Sequence, residues 1–203
     1  MKKLTLVALA TLSALPAYAN QTYIAAEIGG GSYDTSGIFS ENNFTNDVID
    51  DLEEFGFLNI KVGQMLNENV RYYGYFQFES SEADKTIGLN RLDVTLDTYQ
   101  AGLGADYLHH FTNRFYAIAG ANVGYYKTEA EVEQNGSGNV DESNSGVAAG
   151  ANLGLGYAFT DQFGMEVGYR HTRFFGNEFE EAGVTLLEVE SANMGYVNFN
   201  YKF

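Results

Sequence analysis

The sequence predicts an all-β fold, an eight-stranded antiparallel barrel that crosses a membrane, and three observations predict it. The chain begins with Met1-Lys2-Lys3, an apolar run and the small-residue motif Ala17-Tyr18-Ala19, which is the pattern of a secretory signal peptide. After that segment no stretch approaches the ~18 consecutive apolar residues of a membrane helix. Alternating polar and apolar residues then recur up to the final Phe203. The expected domains are therefore a signal peptide at 1–19 and a β-barrel at 20–203.

Eight alternating segments are expected as strands, and the connections between them alternate in length. The strands are expected at 22–33, 55–65, 70–80, 93–107, 114–127, 146–159, 163–173 and 186–203. Short connections fall at 65–69, 108–113 and 160–162, and long ones at 34–54, 81–92, 128–145 and 174–185. Short turns at one end and long loops at the other are the plan of a bacterial outer-membrane barrel. This plan places both termini in the periplasm and four long loops outside the cell.

Composition agrees with a barrel and excludes several functions. The chain has 15 Tyr, 15 Phe and 23 Gly, and its one proline lies in the signal segment. It has no cysteine, which excludes thiol chemistry and a disulfide framework. The net charge of −16 argues against a nucleic-acid partner, which needs clustered Lys and Arg.

Within each expected strand, polar residues keep one parity and apolar residues the other. In the first strand Ile24 and Ile28 share one face, and Glu27 lies on the opposite face. A charge facing lipid near the midplane of the membrane costs about 2–4 kcal/mol, so the polar set is expected inside the barrel. A soluble secreted sandwich is the rival architecture, but its strands usually place apolar residues inside and charged residues outside.

Five inward charges are expected to form a network: Glu27, Lys61, Arg71, Glu166 and Arg170. Counted from the short turns, Lys61, Arg71 and Glu166 share a lower level, whereas Glu27 and Arg170 lie near the middle. We therefore predict pairs of Glu166 with Lys61 or Arg71, and of Glu27 with Arg170, because an unpaired buried charge is costly. This network either only fills and stiffens the barrel or lines a narrow ion path.

The long connections are acidic. The first carries acidic residues without any Lys or Arg, and its candidate binding residues are Asp47, Asp50, Asp51, Glu53 and Glu54. Such a surface attracts cationic peptides or a basic host ligand, or it serves only solubility and repulsion of neighbours. Weak bridging of divalent cations to lipopolysaccharide is a further alternative. No metal site is predicted, because the oxygen spacing and glycine turn of a calcium loop are missing.

No catalytic residue and no cofactor are expected. His109 and His110 lie in a short turn without a neighbouring nucleophile. His171 falls near the outer rim on the lipid-facing parity, where a lipid-modifying barrel enzyme would place a base. Two residues along the same face, where such enzymes carry a serine, this chain has Arg173.

Four segments resemble a known family. They are YQAGLGADY at 99–107, FYAIAGANVGYY at 115–126, GANLGLGY at 150–157 and MEVGYR at 165–170. Together with the terminal Phe203 they resemble the small eight-stranded outer-membrane barrels, which include the membrane domain of outer membrane protein A and the attachment-invasion barrels. The resemblance implies recognition of the terminal aromatic residues by the barrel assembly machinery; these are Phe199, Tyr201 and Phe203.

The resemblance also implies a function at the cell surface, in adhesion, colonisation or envelope integrity. We therefore expect a monomeric structural or adhesion protein of the outer membrane, in contact with membrane lipids and lipopolysaccharide. A narrow ion-conducting channel is the alternative, and an enzyme that modifies outer-leaflet lipids is the third hypothesis.

Overall fold

The structure is a computed structural model that describes residues 21–36, 54–87, 90–134, 137–176, 178–181 and 184–203. These residues form nine β-strands, namely β1 (Thr22–Ser36), β2 (Glu54–Met65), β3 (Val70–Ile87), β4 (Asn90–His110), β5 (Phe115–Gln134), β6 (Ser137–Ala158), β7 (Phe163–Phe175), β8 (Glu178–Glu181) and β9 (Val184–Lys202). The strands pair antiparallel in the order β1-β2-β3-β4-β5-β6-β7-β9-β8, and β1 also pairs with β9. The sheet therefore closes on itself as a barrel.

Among the residues described, no helix is long and apolar enough to cross a membrane.

The barrel wall has eight strands, because β7 and β8 are two parts of one wall strand. Both pair with β9: Arg173 of β7 lies opposite Ser191, and Glu178 of β8 lies opposite Glu188. Between them Gly176 has a φ of 78°, a left-handed conformation that glycine adopts without steric cost. The expected strand number is confirmed.

The barrel closes between the terminal strand and the first strand. Tyr23 lies opposite Lys202, and Ile28 lies opposite Val197. The final residue takes part as well, since the Phe203 amide donates a hydrogen bond of 2.9 Å to the Thr22 carbonyl. The backbone of the closing strand is therefore paired up to its last residue.

Three of the four segments predicted as long loops instead continue the strands over much of their length. The segment 81–92 lies mostly in β3 and β4, the segment 128–145 mostly in β5 and β6, and β8 and β9 extend into 174–185. The alternation of polar and apolar residues fades in these hairpins because neither face of the hairpin contacts lipid. The backbone N–H and C=O groups still need hydrogen-bond partners, so the strand pairing continues. The interior of the first long connection, 37–53, lies outside the described residues.

The outward face of β4 shows the width of the membrane belt. Its apolar column runs from Tyr107 through Leu103 to Tyr99, and these side chains are 52%, 69% and 36% exposed. Nine residues at ~3.3 Å each, tilted about 40°, span about 23 Å, close to the ~25 Å apolar band of such barrels. Further exposed aromatic residues ring the short-turn end: Phe111, Phe115, Phe159, Phe163, Tyr201 and Phe203.

Inside the barrel, large tyrosine rings lie over glycines of the neighbouring strand. The directly paired residues are Tyr73 with Gly104, Tyr75 with Gly102, Tyr116 with Gly156, Tyr126 with Gly146 and Tyr196 with Gly168. A Cβ atom at Gly104 would lie 2.4 Å from Cζ of Tyr73, and one at Gly156 would lie 2.3 Å from Cζ of Tyr116. These glycines therefore provide the space that the buried rings occupy.

We predict that Gly104→Val destabilises the barrel, because the added side chain would overlap the Tyr73 ring. Overpacking of this kind costs about 1–3 kcal/mol. Urea unfolding in detergent micelles, followed by far-ultraviolet circular dichroism, measures the loss.

The matched control is Gly74→Val on β3, where a Cβ atom would meet its nearest neighbours at an ordinary 3.8 Å. An equal loss of stability in both variants would contradict the assignment of Gly104 as space for the ring.

Candidate functional site

The lumen contains an apolar cluster at each end and, between them, buried polar side chains together with a smaller cluster of Tyr23, Ala25, Tyr73 and Tyr75. The cluster at the hairpin end, here the upper cluster, is buried and comprises Tyr33, Phe55, Phe57, Leu96, Tyr126, Ala148, Phe174, Val189, Ala192, Met194 and Tyr196. The cluster at the short-turn end, the lower cluster, comprises Met65, Leu108, Tyr116 and Ile118. Buried charged side chains occupy the space between these two clusters.

Glu27 holds two cations in the middle of the lumen, and these three residues are the middle ion group. Its carboxylate accepts a hydrogen bond of 2.6 Å from Lys61 Nζ and one of 2.5 Å from Arg170 Nη2. Glu27 is 0% exposed, and Arg170 also donates to Gln77 at 2.8 Å. One carboxylate therefore links β1, β2 and β7 through the interior.

Arg71 occupies the centre of the lower ion group. Its guanidinium donates to both carboxylate oxygens of Glu166, at 2.7 and 2.8 Å, and its Nε donates to Asp106 at 2.8 Å. Tyr116 adds a hydrogen bond of 2.9 Å to Glu166. Paired bonds between a guanidinium and a carboxylate fix the orientation of both groups, so this part of the lumen is held in one arrangement.

The five predicted interior charges all lie in the lumen, with one difference in partners. Glu27 contacts Arg170, and Glu166 contacts Arg71, which was one of its two predicted partners. Lys61 contacts Glu27 instead of Glu166. Counting residues from the turns placed Lys61 too low, because a barrel staggers neighbouring strands and residues equally far from a turn differ in height.

Asp106 is a functional residue that the sequence reasoning missed. It is 2% exposed and bonds to Arg71. The available signal was its parity, which it shares with the inward Gln100 on β4.

Glu79 joins the middle ion group to the upper cluster. This carboxyl group is 0% exposed and accepts hydrogen bonds from the Tyr33 hydroxyl at 2.5 Å and from Gln77 Nε2 at 2.6 Å. Gln77 in turn accepts from Arg170, and the ring of Tyr33 stacks on Phe55 with centroids 4.2 Å apart. Polar and apolar parts of the lumen are thus one connected packing unit.

Aromatic rings enclose the buried cations. Lys61 Nζ lies 5.1 Å from the ring centre of Tyr73, and the guanidinium carbon of Arg71 lies 5.3 Å from that of Tyr23. Within the described lumen, each buried Lys or Arg contacts a carboxylate and a ring face. Such an arrangement stiffens the interior and leaves none of Lys61, Arg71 and Arg170 free to bind a passing anion.

The remaining candidate residues lie at the two ends of the barrel. Phe199, Tyr201 and Phe203 are 43%, 40% and 70% exposed on the outer surface near the short turns. Glu54 begins β2 opposite Ser32 and is exposed. The other acidic candidates, at 47, 50, 51 and 53, lie outside the described residues.

The fold and its two surfaces define the class of protein. A closed eight-stranded antiparallel barrel with an apolar, aromatic-bounded outside and a polar, packed inside is an outer-membrane barrel. A family model described as outer membrane protein beta-barrel domain matches residues 4–203, and the chain belongs to this family. It is therefore a protein of the bacterial outer membrane. No curated protein matches the chain.

Solved structures share the fold at low sequence identity. Neisserial surface protein A is 16% identical with a TM-score of 0.58, and the match covers 90% of this chain and 97% of that one. Ail, the attachment invasion locus protein of Yersinia pestis, in complex with the heparin analogue sucrose octasulfate, is 12% identical with a TM-score of 0.55 over 90% and 99%. OprG from Pseudomonas aeruginosa is 13% identical with a TM-score of 0.50 over 91% and 96%.

We predict that Arg71→Met strongly destabilises the barrel, by about 3–5 kcal/mol, because it leaves two buried carboxylates without their cation. Urea unfolding in micelles measures the effect. A variant that also carries Asp106→Asn and Glu166→Gln should recover part of the loss, since the stranded charges are then removed.

The matched control is Lys127→Met. Lys127 contacts Glu129 on the outer surface, where the two side chains are 50% and 48% exposed, so its removal should change stability by at most ~1 kcal/mol. If Arg71→Met and Lys127→Met lost the same free energy of unfolding, burial of the lower ion group would have no energetic consequence.

Proposed function

We propose that this barrel is a structural and adhesion protein of the cell surface, which presents its hairpin end to the outside and attracts basic partners there. The observation that carries the proposal is a lumen filled by paired charges and capped by an apolar cluster at each end. A filled lumen supports a function on the outer surfaces of the barrel rather than conduction through it. The role is non-catalytic.

Strand length supports an exposed hairpin end. β4 has 21 residues, and a strand of that length tilted about 40° spans roughly 50 Å, about twice the apolar band. The belt of exposed aromatic residues that marks one membrane interface lies at the short turns. The strand length beyond the apolar band therefore extends from the membrane at the opposite end. With both termini in the periplasm, the β3–β4 and β5–β6 hairpins project from the cell.

The charge of this projecting part supports a basic partner. Glu129 and Glu131 on β5 and Glu82 on β3 are exposed, and the chain carries a net charge of −16. The Ail structure holds a polyanionic heparin analogue. A surface this acidic repels such a ligand and steers cationic peptides or a basic host protein toward the hairpins.

The assembly route is part of the same proposal. The barrel assembly machinery recognises the outward aromatic residues of the closing strand, which are Phe199, Tyr201 and Phe203. The folded protein is a monomer among outer-membrane lipids and lipopolysaccharide.

We predict that cells carrying the protein attach to a surface coated with basic peptide, such as polylysine, and that acidic residues of the projecting end mediate this. Neutralising Glu129 and Glu131 to Gln, or deleting 36–52, should reduce attachment several-fold at low salt, because attraction between exposed charges drives it. High salt should reduce wild-type attachment to a similar level.

The control neutralises the same number of charges at the opposite end, by Glu68→Gln and Asp161→Asn in the exposed short turns. Equal attachment by the wild type, the hairpin variants and this control would refute adhesion through the acidic end.

We predict that deleting Phe203 impairs assembly while export continues, because the closing strand loses its last aromatic residue and its bond to Thr22. The measurement is the fraction of the protein in outer membranes that shows heat-modifiable migration in electrophoresis, which reports a folded barrel. The control is Phe163→Ala, an exposed aromatic residue of the same end that packs against Phe199. Normal folding of the truncated chain would contradict the role of the terminus.

A further inference from the structure

The outer surface of the barrel has a groove over β9. It has a volume of about 710 Å³ and is lined by residues of β6, β7, β9 and β1. Its walls are the exposed side chains of Leu153, Val167, Tyr169 and Ile28. The groove lies within the apolar, lipid-facing belt, so it opens toward the interior of the membrane.

Gly195 leaves the floor of the groove without a side chain. It lies on β9 opposite Tyr169 of β7 and Gly30 of β1, and it faces outward between Asn193 and Val197 of the same strand. A Cβ atom at Gly195 would meet no atom within 4 Å. The groove is therefore open space that a side chain at this position could fill without disturbing the barrel.

Toward the hairpin end, the outward face of β9 becomes polar. Asn193 follows Gly195 on the outward face, and its Oδ1 accepts hydrogen bonds from the Tyr169 hydroxyl at 2.5 Å and from His171 Nδ1 at 2.9 Å. Asn193 Nδ2 donates to Asp34 at 2.9 Å, and Ser191 donates to the same carboxylate oxygen at 2.5 Å. Tyr169 belongs to both parts, so the apolar groove and this polar cluster are continuous.

The hydrogen bonds of Asn193 determine how His171 presents its ring. Because the amide nitrogen of Asn193 already donates to Asp34, its oxygen faces His171, and Nδ1 of His171 must carry the hydrogen. The Asp34 carboxylate offers acceptors for hydroxyl groups, and the exposed Arg173, opposite Ser191, offers a cation for a phosphate.

We infer that this surface binds one phosphorylated glycolipid of the surrounding leaflet, with an acyl chain in the groove and its sugar headgroup on the polar cluster. An apolar floor that passes into a polar end along one strand matches an amphiphilic molecule lying parallel to the barrel wall. A headgroup with both hydroxyl and phosphate groups uses both Asp34 and Arg173. A simple phospholipid would bring its phosphate beside Asp34 with no hydroxyl to satisfy that carboxylate.

The assignment of the leaflet rests on the proposed orientation, in which the hairpin end faces outside. Binding itself does not depend on attachment to basic surfaces. Failure of the lipid measurement and failure of the adhesion measurement are therefore distinguishable.

The test is native mass spectrometry of the detergent-solubilised barrel with purified lipid A as the probe. The wild type should retain one lipid A molecule, and phosphatidic acid, which has a phosphate but no hydroxyl-bearing headgroup, should not displace it at equal concentration. Gly195→Leu should weaken retention at least ten-fold by filling the groove. Asn193→Ala should weaken it as well, because it releases His171 and Asp34 from their positions.

The matched control is Gly56→Leu, another outward-facing strand glycine, where a Cβ atom also meets nothing within 4 Å but which lies outside the groove. It should retain lipid A like the wild type. Retention of lipid A by Gly195→Leu equal to that by the wild type would overturn binding in the groove, and displacement of lipid A by phosphatidic acid would overturn the choice of a glycolipid.

Discussion

The hydrogen bonding between β1 and β9 is the constraint on which the rest of the structure depends. A polar backbone group left without a partner in lipid costs several kcal/mol, so a sheet that crosses the membrane must have no free edge. Closure with eight strands then fixes the width of the interior, which side chains alone can fill. The outer surface must be apolar to match lipid, and this leaves the polar half of every strand to be packed inside.

Packing that polar half requires both shape and charge to match. Shape is matched by the tyrosine rings that lie over glycines on neighbouring strands, such as Tyr73 over Gly104. Charge is matched by the middle and lower ion groups, in which Glu27 and Arg71 each bind two partners. Hydroxyl groups of the same tyrosines, as at Tyr116, complete the hydrogen bonding of the carboxylates. Rings and ion groups therefore form one interior rather than two separate features.

The sequence predicted the fold well because the lipid face imposes a strict period of two. Parity alone places Ile24 outside and Glu27 inside, and it holds through the membrane-spanning part of every wall strand. Parity does not give the height of a residue in the barrel, which is why Lys61 is expected near Glu166 but contacts Glu27. Parity also weakens beyond the membrane, so the alternation does not reveal that most of 81–92 and 128–145 continues the strands. The groove over β9 could not be predicted, because it depends on which outward residues become neighbours across three strands.

The pair of Glu27 and Arg170 lies beside the seam where the barrel closes. The two residues belong to β1 and β7, and β9 lies between these strands, so their contact spans the closing strand from inside. Separating β1 from β9 would pull these charges apart while the lumen is still dry, which raises the barrier to opening more than it changes the equilibrium. We therefore expect the contact of Glu27 with Arg170, which is complete only when β9 lies between β1 and β7, to lower the rate at which the barrel unfolds. Its resistance to unfolding is in that respect kinetic.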